Sequence, residues 1–223
     1  MRFSRQNIFI QKKYKNFDQR FFNKKIVVVG CGGVGSAIVE LLARGGFTQI
    51  TLVDTDFVDE TNLQRQIFIE KDIGSLKSET LKKRVSKINS KLKYSSIPTL
   101  ITKNNIGEIC CNSDLIVDAT DNFDTRRLIN IFCEKEEKCW LYVGAVKSEV
   151  VCCLFNGKDK KFNKIFPKRV KEESCCSVGV LGSTTFCAAS LAYNQILKFF
   201  LKEENGEFIK FDLWTNKLHV VKV

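Results

Sequence analysis

Short apolar runs alternate with longer amphipathic segments through the first part of the chain. Runs of strand length lie at 26–29, 50–53, 92–97 and 114–118. Segments of helical length follow three of them, at 33–44, 76–89 and 125–136. Such alternation predicts a mostly parallel sheet covered by helices on both faces. We therefore expect an α/β fold of the Rossmann-like, doubly wound kind.

Local signals set the expected ends of these helices. Gly45-Gly46 should stop the helix at 33–44, because glycine tolerates the left-handed conformation of a helix cap. Ser75 is expected to cap the helix at 76–89, and Glu79 lies near a capping-box position.

The pattern changes after residue 138. Apolar runs at 140–146 and 149–155, and again at 208–213 and 218–221, predict two antiparallel hairpins at the C-terminal end of the sheet. A polar, lysine-rich segment at about 156–178 is expected to be a crossover loop, and its length favours a functional role. A long apolar helix should span 179–200. We expect a single domain over 1–223, with an N-terminal helix at 4–20 and a distinct half at 24–138.

Composition places the chain among ordinary soluble proteins. Its apolar runs all fall short of the ~20 residues that span a bilayer, and its start lacks a secretory signal, so we expect a cytoplasmic protein without membrane contact. The ten cysteines are therefore expected to be reduced thiols. The net charge of +11 suits nucleic acid or an acidic protein, but the lysines are spread along the chain, which favours ordinary solvated faces.

A glycine-rich turn follows the first predicted strand. Gly30, Gly32 and Gly35 fit the spacing G-x-G-x-x-G between a strand and a helix, which allows a tight turn, close approach of a phosphate and close helix packing. The helix N-terminus also attracts anions. Asp54 ends the next strand, where an acid can bind ribose hydroxyls. The half at 24–138 is thus predicted to bind a nucleotide, which at this point could be NAD, FAD or ATP.

Three features favour ATP. Arg65 and Lys77 can bind phosphates, the first through a bidentate guanidinium and the second as a point charge. Asp121 follows the strand at 114–118, where its carboxylate could hold Mg²⁺ between phosphates. His219 is the sole histidine and lies in a predicted C-terminal strand, whereas dehydrogenases often use a histidine for proton transfer.

These residues resemble a known family across nearly the whole chain. The sequence is similar to ThiF/MoeB/HesA-type adenylyltransferases, which belong to the ubiquitin-activating-enzyme-like superfamily. The matching motifs are Arg5 in Arg-Phe-Ser-Arg-Gln, the turn from Gly30 through Gly33 to Gly35, Asp54-Thr55-Asp56, Asn62-Leu63-Gln64-Arg65-Gln66, Gly74-Ser75-Leu76-Lys77, and Asp118-Ala119-Thr120-Asp121-Asn122.

The resemblance implies a function and a set of roles. The substrate would be a small ubiquitin-like sulfur-carrier protein ending in Gly-Gly, whose C-terminal carboxylate attacks the α-phosphate of ATP to give an acyl-adenylate and pyrophosphate. Such chemistry serves thiamine or molybdopterin biosynthesis. Arg5 would reach the partner's triphosphate across a homodimer, and Cys175 would be a catalytic thiol. The implied ATP site comprises Gly30, Gly32, Gly33, Gly35, Asp54, Asp56, Asn62, Arg65, Gln66, Lys77, Asp121 and Asn122, with Asp121 as the Mg²⁺ ligand.

One departure from the family pattern concerns zinc. Many members hold zinc with two C-x-x-C pairs, but Phe162-Asn163-Lys164-Ile165 stands where the first pair would be, so we expect no zinc. This keeps two other substrates open: a tRNA-linked carboxylate, as in tRNA-modifying dehydratases, and a peptide precursor. A NAD-dependent oxidoreductase remains the alternative that the glycine turn alone would favour.

Overall fold

The structure is a computed structural model that describes residues 2–15, 17–167, 178–203 and 206–222. Within these ranges eight strands form one sheet: β1 Lys25–Val29, β2 Gln49–Val53, β3 Lys93–Ile97, β4 Leu115–Asp118, β5 Cys139–Val146, β6 Glu149–Asn156, β7 Glu207–Asp212 and β8 Lys217–Lys222. Their order across the sheet is β3-β2-β1-β4-β5-β6-β7-β8. The first five strands in this order, β3, β2, β1, β4 and β5, are parallel to one another. Strands β6, β7 and β8 extend the sheet through antiparallel pairs. The predicted fold class is confirmed.

Helices cover both faces of this sheet. They are α1 Ser4–Lys13, α2 Gly33–Gly45, α3 Lys77–Ser86, α4 Ile106–Cys110, α5 Phe123–Lys135, α6 Phe162–Ile165 and α7 Gly182–Phe200. Side chains alternate along β1, because Ile26 and Val28 pack with α2, α3 and α7, whereas Val27 and Val29 pack with α4, α5 and α6. A strand that is apolar on both faces therefore requires two layers of helices, which explains its unbroken apolar run.

The strand order creates a crevice at one edge of the sheet. After β1 the chain builds β2 and β3 on one side, and later returns to place β4 and β5 on the other. Open α/β sheets bind ligands at the carboxyl ends of the strands beside such a reversal. Val29, Val53 and Asp118 end their strands at this edge.

Several helix boundaries differ from those predicted. The N-terminal helix ends at Lys13 rather than near 20, because Tyr14 is extended, and a separate 3-10 helix follows at Gln19–Phe22. Helix α7 begins at Gly182 rather than 179, since Gly179 and Leu181 exchange backbone hydrogen bonds with Lys147 in an extended arrangement. Helix α4 was not predicted.

The prediction that Ser75 caps the following helix is wrong. The N-cap is Leu76, without a side-chain hydrogen bond, and α3 ends at Ser86 rather than 89. The Ser75 carbonyl instead accepts a hydrogen bond from the Val58 backbone N–H at 2.8 Å, and Leu76 forms an isolated bridge with Phe57. This short antiparallel contact keeps residues 75 and 76 extended and delays the helix.

The crossover segment contains more structure than expected at its start. Strand β6 extends to Asn156, and the short helix α6 follows. Phe162 is completely buried against the rings of Trp140 and Phe155. The part of the predicted loop at 168–177 lies outside the described residues.

Candidate active site

A cavity of about 340 Å³ opens at the carboxyl edge of the sheet, beside the reversal in strand order. It lies between the turn after β1, the loop after β2 and the segment after β4. Most of the residues predicted to bind ATP line it: Gly30, Gly32, Gly33, Asp54, Asp56, Asn62, Arg65, Gln66, Lys77, Asp121 and Asn122. The fold thus brings together around one cavity residues that are separated by up to about ninety positions in the sequence.

The first two glycines of the turn have different requirements. Gly30 has φ +90°, and a Cβ there would lie 2.8 Å from the Ala119 carbonyl oxygen, so the fold itself demands glycine. A Cβ on Gly32 would meet little, its nearest contact being Gln66 Nε2 at 3.8 Å. Gly32 therefore leaves its space to a ligand that approaches the backbone. It is the N-cap of α2 and has no side chain to cap that helix, whose N-terminus favours an anion.

The other two glycines serve packing. A Cβ on Gly35 would lie 1.9 Å from the Gly30 carbonyl oxygen, and Gly35 lies behind the cavity wall rather than in it. Gly35 thus allows the close packing of α2 on the turn that its place in the motif predicts, and its role in binding ATP stays a prediction. Gly33 lines the cavity and also admits Thr185 of α7, whose Cγ2 would be 2.8 Å from an added Cβ.

Asp54 is tied to the glycine turn. Its Oδ2 accepts a hydrogen bond from the Cys31 backbone N–H at 2.6 Å, and its Oδ1 accepts one from the Asp56 N–H at 2.7 Å. Burial raises the pKa of the Asp54 carboxyl, and these two donors oppose that rise. Each oxygen retains a second acceptor site, which is compatible with binding ribose hydroxyls.

Lys77 stands at the first position of α3 and is almost wholly buried. Its Nζ lies 2.9 Å from Asp56 Oδ2, and only 9% of its side chain is exposed, against 63% for Asp56. A buried ammonium needs a charged partner. Asp56 supplies one here, and phosphate oxygens entering the cavity would supply another.

The loop from Asn62 to Gln66 presents polar groups to the same space. Asn62 closes a 3-10 helix at Glu60–Asn62 by accepting a hydrogen bond from the Asp59 N–H. The Arg65 guanidinium donates to the Thr61 carbonyl at 2.7 Å, and the Thr185 hydroxyl lies 3.0 Å from the Arg65 carbonyl. Among the described residues, the buried Gln66 Oε1 has no hydrogen-bond donor. An unsatisfied buried acceptor of this kind fits a site that is completed by a ligand.

The segment after β4 carries the predicted metal ligand. Asp121 is exposed and lines the cavity. Asn122 begins α5 as its N-cap, since its side-chain oxygen accepts from the Thr125 N–H at 2.8 Å. Carboxylate oxygen is a donor that Mg²⁺ accepts. The donor set, the space over Gly32 and the unsatisfied Gln66 acceptor together fit ATP with Mg²⁺, in which Mg²⁺ neutralises phosphate charge when bound.

Sequence reasoning missed part of the cavity wall. The lining residues that were not predicted as site residues are Val29, Val34, Val53, Thr55, Thr99, Leu100, Ile101, Ala119, Thr120, Thr125, Arg126, Val143, Gly144, Ala145, Val180 and Thr185. Residues 99–101 follow β3 and could have been found from the rule that strand ends share one edge. Arg126 and residues of β5 and α7 reach the cavity only through tertiary packing, which leaves no local signal in the sequence.

Two residues considered earlier, Arg5 and His219, are described by the structure and are not in this wall. Arg5 lies on α1, where the neighbouring Gln6 amide donates to the Gly45 carbonyl at the far end of α2. A helix of 13 residues is about 20 Å long, so Arg5 is well away from the cavity of its own chain. His219 is exposed on β8. Cys175 falls outside the described residues.

Fold and cavity together define an α/β nucleotide-binding protein. The chain belongs to the ThiF family, whose sequence model matches residues 3–223. It is 31% identical, over 231 residues, to a probable molybdopterin-synthase adenylyltransferase of Porphyra purpurea, covering 100% of this chain and 60% of that protein. It is 29% identical to the sulfur carrier protein ThiS adenylyltransferase of Bacillus subtilis, covering 99% of this chain and 67% of the other. The predicted family is confirmed.

A solved structure of E. coli MccB with AMPCPP and MccA has the same fold. Its TM-score is 0.75 at 25% identity, with 96% of this chain and 66% of that chain covered. The chain therefore spans roughly two thirds of the length of these relatives. Within the described ranges, no helix is long and apolar enough to cross a membrane. The same ranges hold no group of three or more His, Cys, Asp or Glu side chains placed to bind a metal.

Proposed function

We propose that this protein is an ATP-dependent adenylyltransferase that activates the C-terminal carboxylate of a small ubiquitin-like sulfur-carrier protein ending in Gly-Gly. The observation that carries the proposal is the cavity at the strand reversal, which brings the glycine turn, Arg65, Lys77 and Asp121 to one place. Both curated relatives described above are adenylyltransferases by name, and one acts on the sulfur carrier ThiS.

The chemistry needs alignment and charge neutralisation more than proton transfer. An oxygen of the acceptor carboxylate attacks the α-phosphorus of ATP, and the bond from that phosphorus to the bridging oxygen breaks. Pyrophosphate leaves with the electron pair, and the acyl-adenylate remains. Because the carboxylate is already the nucleophile, a general base is unnecessary. Arg65 and Lys77 would neutralise phosphate charge, Asp54 would hold ribose, and Asp121 would hold Mg²⁺.

The acceptor would enter from the side of the cavity formed by β5. Val143, Gly144 and Ala145 line that side together with Val180. The small residues Gly144 and Ala145 are partly exposed, which suits a narrow, extended terminus such as Gly-Gly. A site of this kind does not require the bulk of the acceptor to enter the cavity.

The remaining parts of the proposal concern assembly and the thiol. Arg5 is next to Gln6, which contacts the C-terminal end of α2, whereas the cavity lies at the N-terminal end of this helix, which is about 20 Å long. It would therefore complete the site of a second copy, which implies a homodimer. Cys175 would take part in sulfur transfer after activation. The protein would act in the cytoplasm, where small sulfur carriers are activated, and zinc would not be needed.

The test is exchange of labelled pyrophosphate into ATP. We expect exchange that depends on a Gly-Gly-ended carrier, and we expect Asp121→Ala to abolish it. Asp124→Ala is the matched control, because this carboxylate is 97% exposed, lies three residues further along in the first turn of α5 and does not line the cavity. Carriers ending in Gly-Gly that never support exchange, or an Asp121→Ala variant with normal exchange, would contradict the proposal.

A second substrate, a tRNA-linked carboxylate, is favoured by one surface feature. A groove of about 890 Å³ lies between α2 and α3. Its lining includes six cationic side chains, Arg2, Arg44, Lys71, Lys83, Arg84 and Lys87, against the carboxylates of Glu40 and Asp72. Phosphate contacts there would make tRNA binding strongly salt-dependent. If Lys83→Glu and Lys87→Glu variants retain tRNA at low salt as well as the wild type does, the groove is not the tRNA-binding site.

A peptide precursor is the third possible substrate. MccB was solved in complex with MccA, and its fold is the same. Pyrophosphate exchange with a free peptide carboxylate, compared with a folded carrier, would separate these acceptors. Preference for the folded carrier is expected.

A further inference from the structure

Arg126 is a buried cation in the floor of the cavity. It is 7% exposed and projects from the first turn of α5, five residues after Asp121. Its guanidinium lies between two rings, 5.0 Å from the centre of Phe123 and 4.7 Å from that of Tyr142. Such stacking holds a planar guanidinium in one orientation. The guanidinium is therefore held in one position, from which it can fix the groups that accept its hydrogen bonds.

Arg126 fixes the residue that precedes Asp121. Its Nη2 donates a short hydrogen bond to the Thr120 carbonyl, and its Nη1 donates to the Tyr142 hydroxyl at 3.3 Å. Asp118 holds Thr120 from the other side, since its Oδ1 accepts from the Thr120 N–H at 3.0 Å and from the hydroxyl at 2.7 Å. The amide, the carbonyl and the hydroxyl of Thr120 are thus all held by a buried pair of opposite charges.

The residue after Asp121 is fixed as well. Asn122 caps α5, and the Arg126 backbone N–H completes the first helical turn by donating to the Asn122 carbonyl at 3.4 Å. Asp121 therefore projects from a segment that is restrained at both ends. The restraint is costly, because Asp118 and Arg126 are buried and, among the described residues, Asp118 Oδ2 and Arg126 Nε have no hydrogen-bond partner. A merely structural turn would not need two buried charges.

We propose that Arg126 is a positioning residue that sets the affinity for the Mg²⁺–nucleotide complex, because it fixes the backbone from which Asp121 extends. This inference rests on the proposed function, in which Asp121 is the Mg²⁺ ligand. Asp118 binds the same residue, Thr120, from the other side. Groups that orient a metal ligand from behind contribute to metal affinity although they do not touch the metal.

The test measures nucleotide binding rather than turnover, so it needs no acceptor. AMPCPP is titrated into the protein by calorimetry with and without Mg²⁺. We expect Arg126→Gln to reduce the gain in affinity that Mg²⁺ provides by about ten- to a hundredfold, the usual effect of losing a partner behind a metal ligand. The gain is the ratio of the affinities with and without Mg²⁺, so any direct loss of affinity from removing a cation that lines the cavity cancels from it. Arg127→Gln is the matched control, since its guanidinium pairs with Asp124 and does not line the cavity.

Arg126→Lys covers the case in which the glutamine variant does not fold. Lysine keeps the charge but lacks the fork that reaches Thr120 and Tyr142 together, so it should lose most of the Mg²⁺-dependent gain. A folded Arg126→Lys or Arg126→Gln protein with the wild-type gain would overturn the inference while leaving the proposed function intact. A wild-type protein that binds neither AMPCPP nor its Mg²⁺ complex would overturn both.

Discussion

Gly32 and Gly35 lie three positions apart in the same turn and have opposite physical requirements. The space above Gly32 is bounded by a single side-chain atom at 3.8 Å, whereas that above Gly35 is filled by the Gly30 carbonyl at 1.9 Å. The sequence motif requires glycine at both positions for different reasons, which are close approach of a phosphate at its second glycine and close helix packing at its third. The distances give Gly35 the packing role, and we propose that Gly32 has the phosphate role.

This difference leads to a paired prediction. Gly32→Ala should leave the free energy of unfolding within about 1 kcal/mol of the wild type, because its methyl group meets little protein. It should nevertheless weaken ATP binding, since the methyl group occupies space meant for phosphate. Gly35→Ala should cost about 3 kcal/mol or more, because its methyl group collides with the backbone.

Urea denaturation and calorimetry with ATP would measure both effects. Wild-type ATP affinity in Gly32→Ala would contradict the ligand role of this glycine. Wild-type stability in Gly35→Ala would contradict the packing role of the other.

Other residues of the site differ in how far they could be predicted. Asp54, Arg65, Lys77 and Asp121 follow strands or lie in a loop with family-like motifs, so the sequence identified them, and the structure brings them together. Arg126 could not be assigned in the same way. Its position in the cavity depends on the rings of Phe123, on the same helix, and of Tyr142, on strand β5.

At the scale of elements, turns and strand ends decided where prediction succeeded. Gly46 does end α2, with φ +100° and the left-handed cap expected of glycine. The start of α3 was predicted to within one residue, but its cap was wrong because a contact between residues 57 and 76 overrides the local capping signal. Long-range pairing of this kind has no signature in a short stretch of sequence.

The two C-terminal hairpins are joined by Asp212. Its Oδ2 accepts from the Thr215 hydroxyl at 2.7 Å, and its Oδ1 accepts from the Ser148 hydroxyl at 2.8 Å and the Trp214 N–H at 3.0 Å. These donors lower the pKa of the Asp212 carboxyl to about 2. The folded protein therefore favours the ionised form, so the resulting stability is complete above the ordinary pKa of aspartate and is lost as pH falls through about 2.

We expect Asp212→Asn to lower the free energy of unfolding at neutral pH. The deficit should shrink as pH falls from about 4 towards 2, because the wild-type carboxyl then also loses its charge. Urea denaturation of both proteins at a series of pH values would measure this, with Asp124→Asn as the exposed control. A deficit that does not change with pH would show that charge at Asp212 is unimportant.

At the scale of the whole molecule, alternation of apolar runs was enough to predict the doubly wound sheet. The reversal in strand order was also within reach, since the glycine turn marks β1 as the central strand. The oligomeric state is harder to predict from such patterns, because it depends on surfaces that local patterns do not describe. Arg5 illustrates this, since it lies on α1 at the opposite end of α2 from the cavity.

A complementation experiment tests assembly. If Arg5 completes the partner's site, Arg5→Ala and Asp121→Ala proteins should each be inactive but should regain activity when mixed. Equal mixing should restore about a quarter of wild-type exchange, because half of the dimers are mixed and each has one complete site. A mixture that stays inactive although its subunits exchange would place Arg5 in its own chain's site or in neither.

Transfer of label from ATP distinguishes adenylylation of the carrier from its phosphorylation. ATP labelled in the α-phosphate or in the γ-phosphate is incubated with the protein, Mg²⁺ and a Gly-Gly-ended carrier. We expect the α-label to appear on the carrier as an acyl-adenylate and the γ-label to leave in pyrophosphate. Appearance of the γ-label on the carrier, or of inorganic phosphate in place of pyrophosphate, would contradict the proposed adenylylation.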